Sequence, residues 1–252
     1  MGTDLTTVEI VLVVAAVFVG ALVKSVTGMG FPLVAIPVMT LFLPTPTAVA
    51  VIAIPNAIQN VILVVQHRSV RAGSIRLTSF CLAGVAGAAL GAIVLSSAPE
   101  VIVRAALTVR LGVYLATNIV APDIEVTPER AAVWTPPVGF VAGMFQGAIG
   151  ISGPVVGTWH HGLRLPQQVF VFSVASVFAI TGITQATVLG VRGELDGRLL
   201  VSLGLTIVML VSVPIGARLR RRLSVDRFRT VVLWLLTASC VSLTVDLIGR
   251  LA

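Results

Sequence analysis

The sequence predicts an all-α polytopic membrane protein, and three observations carry that prediction. Of its 252 residues, 57% are hydrophobic and only 11% are charged, against about 25% charged residues in a soluble domain. Mean hydropathy is +1.06. The apolar residues gather into runs of the length a helix needs to cross a hydrocarbon core about 30 Å thick. Strand-type alternation is absent and there are only 1 Tyr and 3 Trp, which leaves helices rather than a barrel to satisfy the backbone in lipid.

Taken in order, the long apolar segments cover residues 5–26, 47–66, 75–95, 101–120, 131–149, 169–189, 199–217 and 228–248. The first follows "MGTDLTTVEI", which lacks a basic n-region, so a retained span is expected rather than a cleaved signal peptide. Two further pieces, 32–43 and 154–165, make helices of about 18 Å, too short to cross alone. Cys81 and Cys240 fall inside apolar runs and read as small hydrophobes, with no disulfide framework or metal-spaced cysteine pair. The formal charge is +7, and six of the seventeen basic residues lie between Arg218 and Arg229 in a loop between spans. That placement is a topology signal of a cytoplasmic loop and not a nucleic-acid patch.

Both short pieces begin with proline after a glycine-bearing break and end before another proline, which suggests a repeat. An offset of 122 sets Gly28 on Gly150, Pro32 on Pro154 and Pro44 on Pro166; from the next span an offset of 125 sets Gly91 on Gly216, Arg104 on Arg229 and Leu111 on Leu236. The chain therefore reads as one transmembrane domain, 1–252, with a first repeat at 1–121, a connector at 122–130 and a second repeat at 131–252.

Charge placement orients the halves. The loop after the second long span is basic in half one (Arg68, Arg71, Arg76) and neutral in half two (Arg192, Glu194, Asp196, Arg198), while the next loop holds only Arg104 in half one and the arginine cluster in half two. An inverted repeat satisfies the positive-inside rule in both halves and a parallel one does not. Inversion needs an odd number of segments per half, so each half is expected to contain four long helices plus one short half-helix that returns toward the side it came from. Both termini then lie outside, and the acidic connector lies inside, against the trend.

In transporters built this way the interrupted helices form the substrate site near the midplane. Pro32 and Pro154 suit helix position N1, so each half-helix aims its N-terminus, with four unpaired N–H groups, at a position that favours an anion. Gly28, Gly30, Gly150 and Gly153 let the backbone approach that anion, with Thr27 and Ser152 beside them. Lys24 precedes the first break and supplies charge where charge is expensive, although a lysine near a helix end can also snorkel to the interface. Gln146 holds the matching place in half two. The following helix of each half carries polar groups at i, i+3 and i+4: Asn56, Gln59 and Asn60, then Thr181, Thr184 and Gln185, one face each. Such groups line a pathway or simply bond between helices. Arg110, in mid-span, either serves an anion pathway or pairs with a buried carbonyl. His160 and His161 are expected as solvated interfacial residues, and the carboxylates near spans, Glu9 and Asp246, lie toward ends and offer no proton path.

The stretches "GALVKSVTGMGFPLVAIP" and "GFVAGMFQGAIGISGPVVG" resemble the TauE/SafE family of membrane anion exporters, in which a glycine-rich motif follows the first helix of each half. The resemblance covers the whole chain and places the motif glycines at Gly28, Gly30, Gly150 and Gly153; Phe31 and Ser152 depart from the fuller glycine run of many members. It implies export of sulfite, sulfoacetate or a related organosulfonate across the bacterial inner membrane, with no cofactor or metal and with the bilayer and a small anion as partners. The assembly state stays open, a homo-oligomer included.

An enzyme is not expected. "GISG" matches the nucleophile motif of rhomboid-type intramembrane proteases, but no histidine follows His161, and His160 lies about 12 Å along a helix from Ser152. The remaining alternatives are a passive anion channel, a carrier of a carboxylate anion, and a membrane scaffold without flux.

Overall fold

The computed structural model describes residues 6–27, 29–120, 125–219 and 225–251, and the side chains of these except at 26–27, 117–120, 217, 219, 225–232, 235 and 250–251. Every regular element among them is helical: α1 Thr7–Thr27, α2 Phe31–Met39, α3 Thr45–Gln66, α4 Leu77–Ser97, α5 Glu100–Val120, α6 Pro128–Ile149, α7 Gly153–Gly162, α8 Gln167–Val191, α9 Leu199–Leu219 and α10 Val225–Leu251, with a 3₁₀ turn Arg68–Gly73 between α3 and α4. These are the eight long and two short helices expected. Five of them, α1, α3, α4, α8 and α9, are long and apolar enough to cross a membrane. α5 carries Glu100, Arg104 and Arg110, and α6 opens on Glu129 and Arg130 with Pro136 and Pro137 inside it.

The breaks have local causes. Thr127 caps α6, its hydroxyl accepting from the Arg130 amide at 3.4 Å, and Gly150 ends it in the left-handed region at φ 70° with its amide on Gln146 O. Gly30, at φ 109°, turns the chain into α2 in the same way. Pro32 and Pro154 fall at N2 rather than at the N1 position expected, because Phe31 and Gly153 already belong to the helices; an N2 amide has no intrahelical acceptor either, so proline is tolerated there. Inside α3, Pro55 offers no N–H to the Val51 carbonyl, and the Ser202 hydroxyl of α9 donates to that oxygen at 2.8 Å instead.

The chain forms two compact units. One holds Met1–Ile52, Ala98–Ala121 and Arg198–Ala252; the other holds Ala53–Ser97 and Pro122–Gly197. In the first, α1 packs on α2 and α9, and α5 packs on α10. α2 folds back along α1, so that a Cβ on Gly20 would lie 2.8 Å from Phe31 O.

In the second unit α4 and α6 run side by side in the same direction with their backbones touching. A Cβ on Gly139, Gly143 or Gly147 would strike the carbonyls of Phe80, Gly84 or Ala88, and one on Gly87 or Gly91 would strike Phe140 O or Met144 O. Small residues at helical spacing permit this close approach in a membrane. α6, about 33 Å long, is followed by α7 of about 15 Å, and the Val126 amide ahead of α6 donates to Gly162 O at the end of α7 at 2.9 Å. α7 thus returns the chain to the end at which α6 began. At the other end of this unit Arg192 donates to the Ser97 hydroxyl at 2.7 Å.

Candidate functional site

The second unit contains a buried polar chain built on the α6–α7 break. The left-handed cap at Gly150 folds Ser152 back toward the last turn of α6, and the Ser152 hydroxyl donates to Gln146 Oε1 at 2.8 Å. Gln146 Nε2 donates to Gln185 Oε1 at 3.2 Å, and Gln185 Nε2 donates to Gly147 O at 3.1 Å. Ser152, Gln146 and Gln185 are all buried. The chain of bonds holds α6, α8 and the start of α7 in one arrangement, while the glycine contact with α4 fixes the α6 backbone that carries Gln146.

Above this network stands the N-terminus of α7. Fewer amides are free there than the four expected: Pro154 has none, and the Val155 and Val156 amides both donate to Ser152 O, at 3.0 and 3.1 Å. The Gly153 amide has no acceptor among the described residues, and a Cβ at Gly153 would meet nothing within 4 Å. One backbone donor at the positive end of a helix is thus left without an acceptor among the described residues, next to a buried serine and two buried amides. An anionic oxygen suits that place.

The other site candidates fall as follows. Thr181 and Thr184 return their hydroxyls to their own helix, donating to Val177 O at 2.7 Å and Ile180 O at 2.9 Å. Thr181 packs its methyl on Gly84, and Thr184 is partly exposed, so of this triplet only Gln185 joins the network. Asn56, Gln59 and Asn60 are buried, and Asn60 Nδ2 donates to Asn56 O at 2.8 Å and Asn56 Oδ1 at 3.2 Å. Ala57, inside this triplet, meets Gly182, inside the α8 triplet, where a Cβ would lie 3.6 Å from Ala57 Cα.

In the first unit Lys24 sits in the last turn of α1 and is only 2% exposed. Its ammonium is inside the protein, not extended to an interface as snorkelling requires. Gly30 caps α2, and Arg110 is buried in α5. Gly28 and the Thr27 side chain lie outside the described residues.

One expectation is corrected. His160 is buried rather than solvated: its Nδ1 bonds Val156 O at 2.9 Å and its ring lies 5.0 Å from that of Phe80. His161 is exposed as expected. Asp246 lies toward the end of α10, as expected, and Arg104 donates to it at 2.7 Å and to Glu100 at 2.9 Å. These three groups, with Thr40, Pro44 and Ser242, line a cavity of about 320 Å³ in the first unit. The i, i+4 spacing of Glu100 and Arg104 was a readable signal; the third partner, on another helix, was not.

A comparison with protein-family models places the chain. Residues 12–243 match the model described as sulfite exporter TauE/SafE. The chain belongs to the TauE/SafE family. Neither a curated protein nor a solved structure matches it. The protein is thus a multi-pass membrane protein of a transporter family, one that exports sulfite and related anions. Within it, Ser152 makes its hydrogen bond to an amide and not to an imidazole.

Proposed function

We propose that this TauE/SafE protein is a secondary transporter that exports a small sulfur-containing anion, sulfite or an organosulfonate, across a bacterial inner membrane by alternating access. The observation that carries this reading is the Gly153 amide at the N-terminus of α7, which has no acceptor among the described residues and adjoins the Ser152–Gln146–Gln185 network. A sulfonate or sulfite oxygen accepts from that amide, and the buried amides fix the shape of the pocket around it. Lys24 supplies positive charge in the other half-site, at the position that matches Gln146, and Gly28, Gly30 and Gly150 keep the backbone of the two breaks open to the anion.

The inverted repeat of 1–121 and 131–252 is part of this proposal. Gly91 of α4 meets Met144 of α6, and Gly216 of α9 meets Leu22 of α1; these are the same two positions under the offsets of 125 and 122 seen in the sequence. Each half thus lends its third long helix to the first helix of the other half. The compact units exchange chain inside α3, between Ile52 and Ala53, next to Pro55. A helix interrupted there supports a rocking motion. In this reading both termini lie outside.

Binding to the purified protein tests the reading, with sulfite, sulfoacetate, taurine, acetate and chloride compared by thermal shift or calorimetry in wild type, Lys24→Ala and Gly153→Val. Stabilisation by sulfite or a sulfonate that is lost in both variants is expected. Equal responses to acetate and sulfoacetate would reassign the substrate to carboxylates, and unchanged binding in both variants would remove the site. Saturable counterflow in vesicles distinguishes a carrier from a channel.

A further inference from the structure

We propose that the turn of α3 carrying Asn56, Gln59 and Asn60 binds an alkali-metal cation that travels with the anion. The idea rests on the transport reading above but on a different set of atoms.

Asn60 is 0% exposed and Gln59 3%. The two bonds from Asn60 Nδ2 to Asn56 fix the orientation of its amide, because turning it over would set one oxygen against two others. Its Oδ1 is then left buried with no hydrogen-bond partner among the described residues, and so is Gln59 Oε1. An orphaned amide oxygen is destabilising, and native folds rarely keep such groups without a ligand, ion or water to satisfy them. The amide oxygens of Gln146 and Gln185 are both satisfied, so the α3 turn differs in kind.

Orphaned acceptors call for a hydrogen-bond donor or a cation. α3 and α8, which meet at Ala57 and Gly182, carry no charged residue between them, so a cationic partner is not a side chain of either helix. The ligand set is all oxygen and hard, which excludes soft metals. It is also neutral, and among the described residues no group of three His, Cys, Asp or Glu could hold a metal, whereas divalent ions draw on carboxylates. Among metal ions, what remains is a monovalent hard cation held by amide oxygens, as ions are held by carbonyls in filters and at helix breaks. Spacing at i, i+3 and i+4 keeps the three side chains on one patch, just after the backbone already interrupted by Pro55. A cation there offsets the charge of the anion carried through the same unit.

The test uses the purified full chain and chloride salts of sodium, potassium and N-methylglucamine at constant ionic strength. A saturable rise in Tm with sodium or potassium and none with N-methylglucamine is expected. Gln59→Met should raise the half-saturating cation concentration at least tenfold, and Gln59→Glu should lower it. Sulfite flux in vesicles should be fastest with the cation that binds. Identical melting curves in all three salts overturn the proposal whether or not any variant folds. If sulfite flux persists with equal rates in all three, the cation site falls while the transporter stands; cation binding without any anion flux has the opposite meaning.

Discussion

The Val126 amide and the Gly162 carbonyl, 2.9 Å apart, tie the start of α6 to the end of α7 and make the pair a returning loop. Glu125 and Arg164 add an exposed ion pair at 3.4 Å beside it. Single cysteines at Glu125 and Arg164 should therefore react with a membrane-impermeant thiol reagent from one side of the bilayer, and cysteines at Ser97 and Arg192 from the other. Labelling of the first two from opposite sides would mean that α7 crosses, and the half-helix reading would be lost.

Backbone contact between α4 and α6 leaves no room for a side chain. Gly143→Leu would have to displace Gly84 O and Ala88 N of α4, and overpacking of this kind costs about 1–3 kcal/mol or more. A lower Tm in detergent and weaker anion binding are expected together, because the same backbone carries Gln146. Gly204→Ala is the contrast: nothing lies within 4 Å of a Cβ there, and its Tm should match wild type or rise slightly, since alanine is the better helix former. Equal Tm losses in the two variants would mean that the α4–α6 contact has no special weight.

The long helices were legible because lipid forces a simple rule on composition, and the half-helices because proline and glycine punctuate them at both ends. The tight α4–α6 seam was also written in the sequence, in the four-residue spacing of Gly139, Gly143 and Gly147, but such spacing names one helix and not its partner. Three-dimensional pairing was less accessible. Ser152 reaches Gln146 only because Gly150 adopts φ 70°, and Arg104 and Asp246 are 142 positions apart. The buried state of His160 depends on Phe80, eighty positions earlier. Thr184 was included on spacing alone, which cannot distinguish a hydroxyl that faces a partner from one that returns to its own helix.

Arg104 holds two carboxylates from α5 and α10 with two different nitrogens, a geometry that suits a planar guanidinium. Arg104→Lys should keep one contact and lose the other, and Arg104→Met should lose both. Both carboxylates are more than a third exposed, Asp246 at 39% and Glu100 at 35%, so water compensates part of the loss. A destabilisation of about 1–3 kcal/mol for Arg104→Met, with Arg104→Lys between it and wild type, is expected in urea or thermal unfolding. Asp246→Asn alone should cost less, because Glu100 still pairs with the guanidinium. An Arg104→Met protein as stable as wild type would show that the cluster does not hold α5 to α10.

The Ser152–Gln146–Gln185–Gly147 chain makes a sharper demand, because its members share partners. Gln146→Leu strands the Ser152 hydroxyl and Gln185 Oε1 at once, and each stranded group costs about 1–3 kcal/mol. Ser152→Ala removes only a donor and leaves Gln146 bonded to Gln185. In anion binding, Gln146→Leu should therefore lose at least tenfold in affinity and Ser152→Ala a fewfold, and the double variant should be little worse than Gln146→Leu alone, since the hydroxyl has no partner left to lose. Additive losses would show that Ser152 contacts the anion independently of Gln146. A double variant as weak as expected, in a protein whose Tm has fallen by the same amount as that of Gln146→Leu, would place the network in positioning α7 rather than in touching the ligand. Calorimetry on all four proteins, wild type included, with sulfite as the titrant, separates these outcomes.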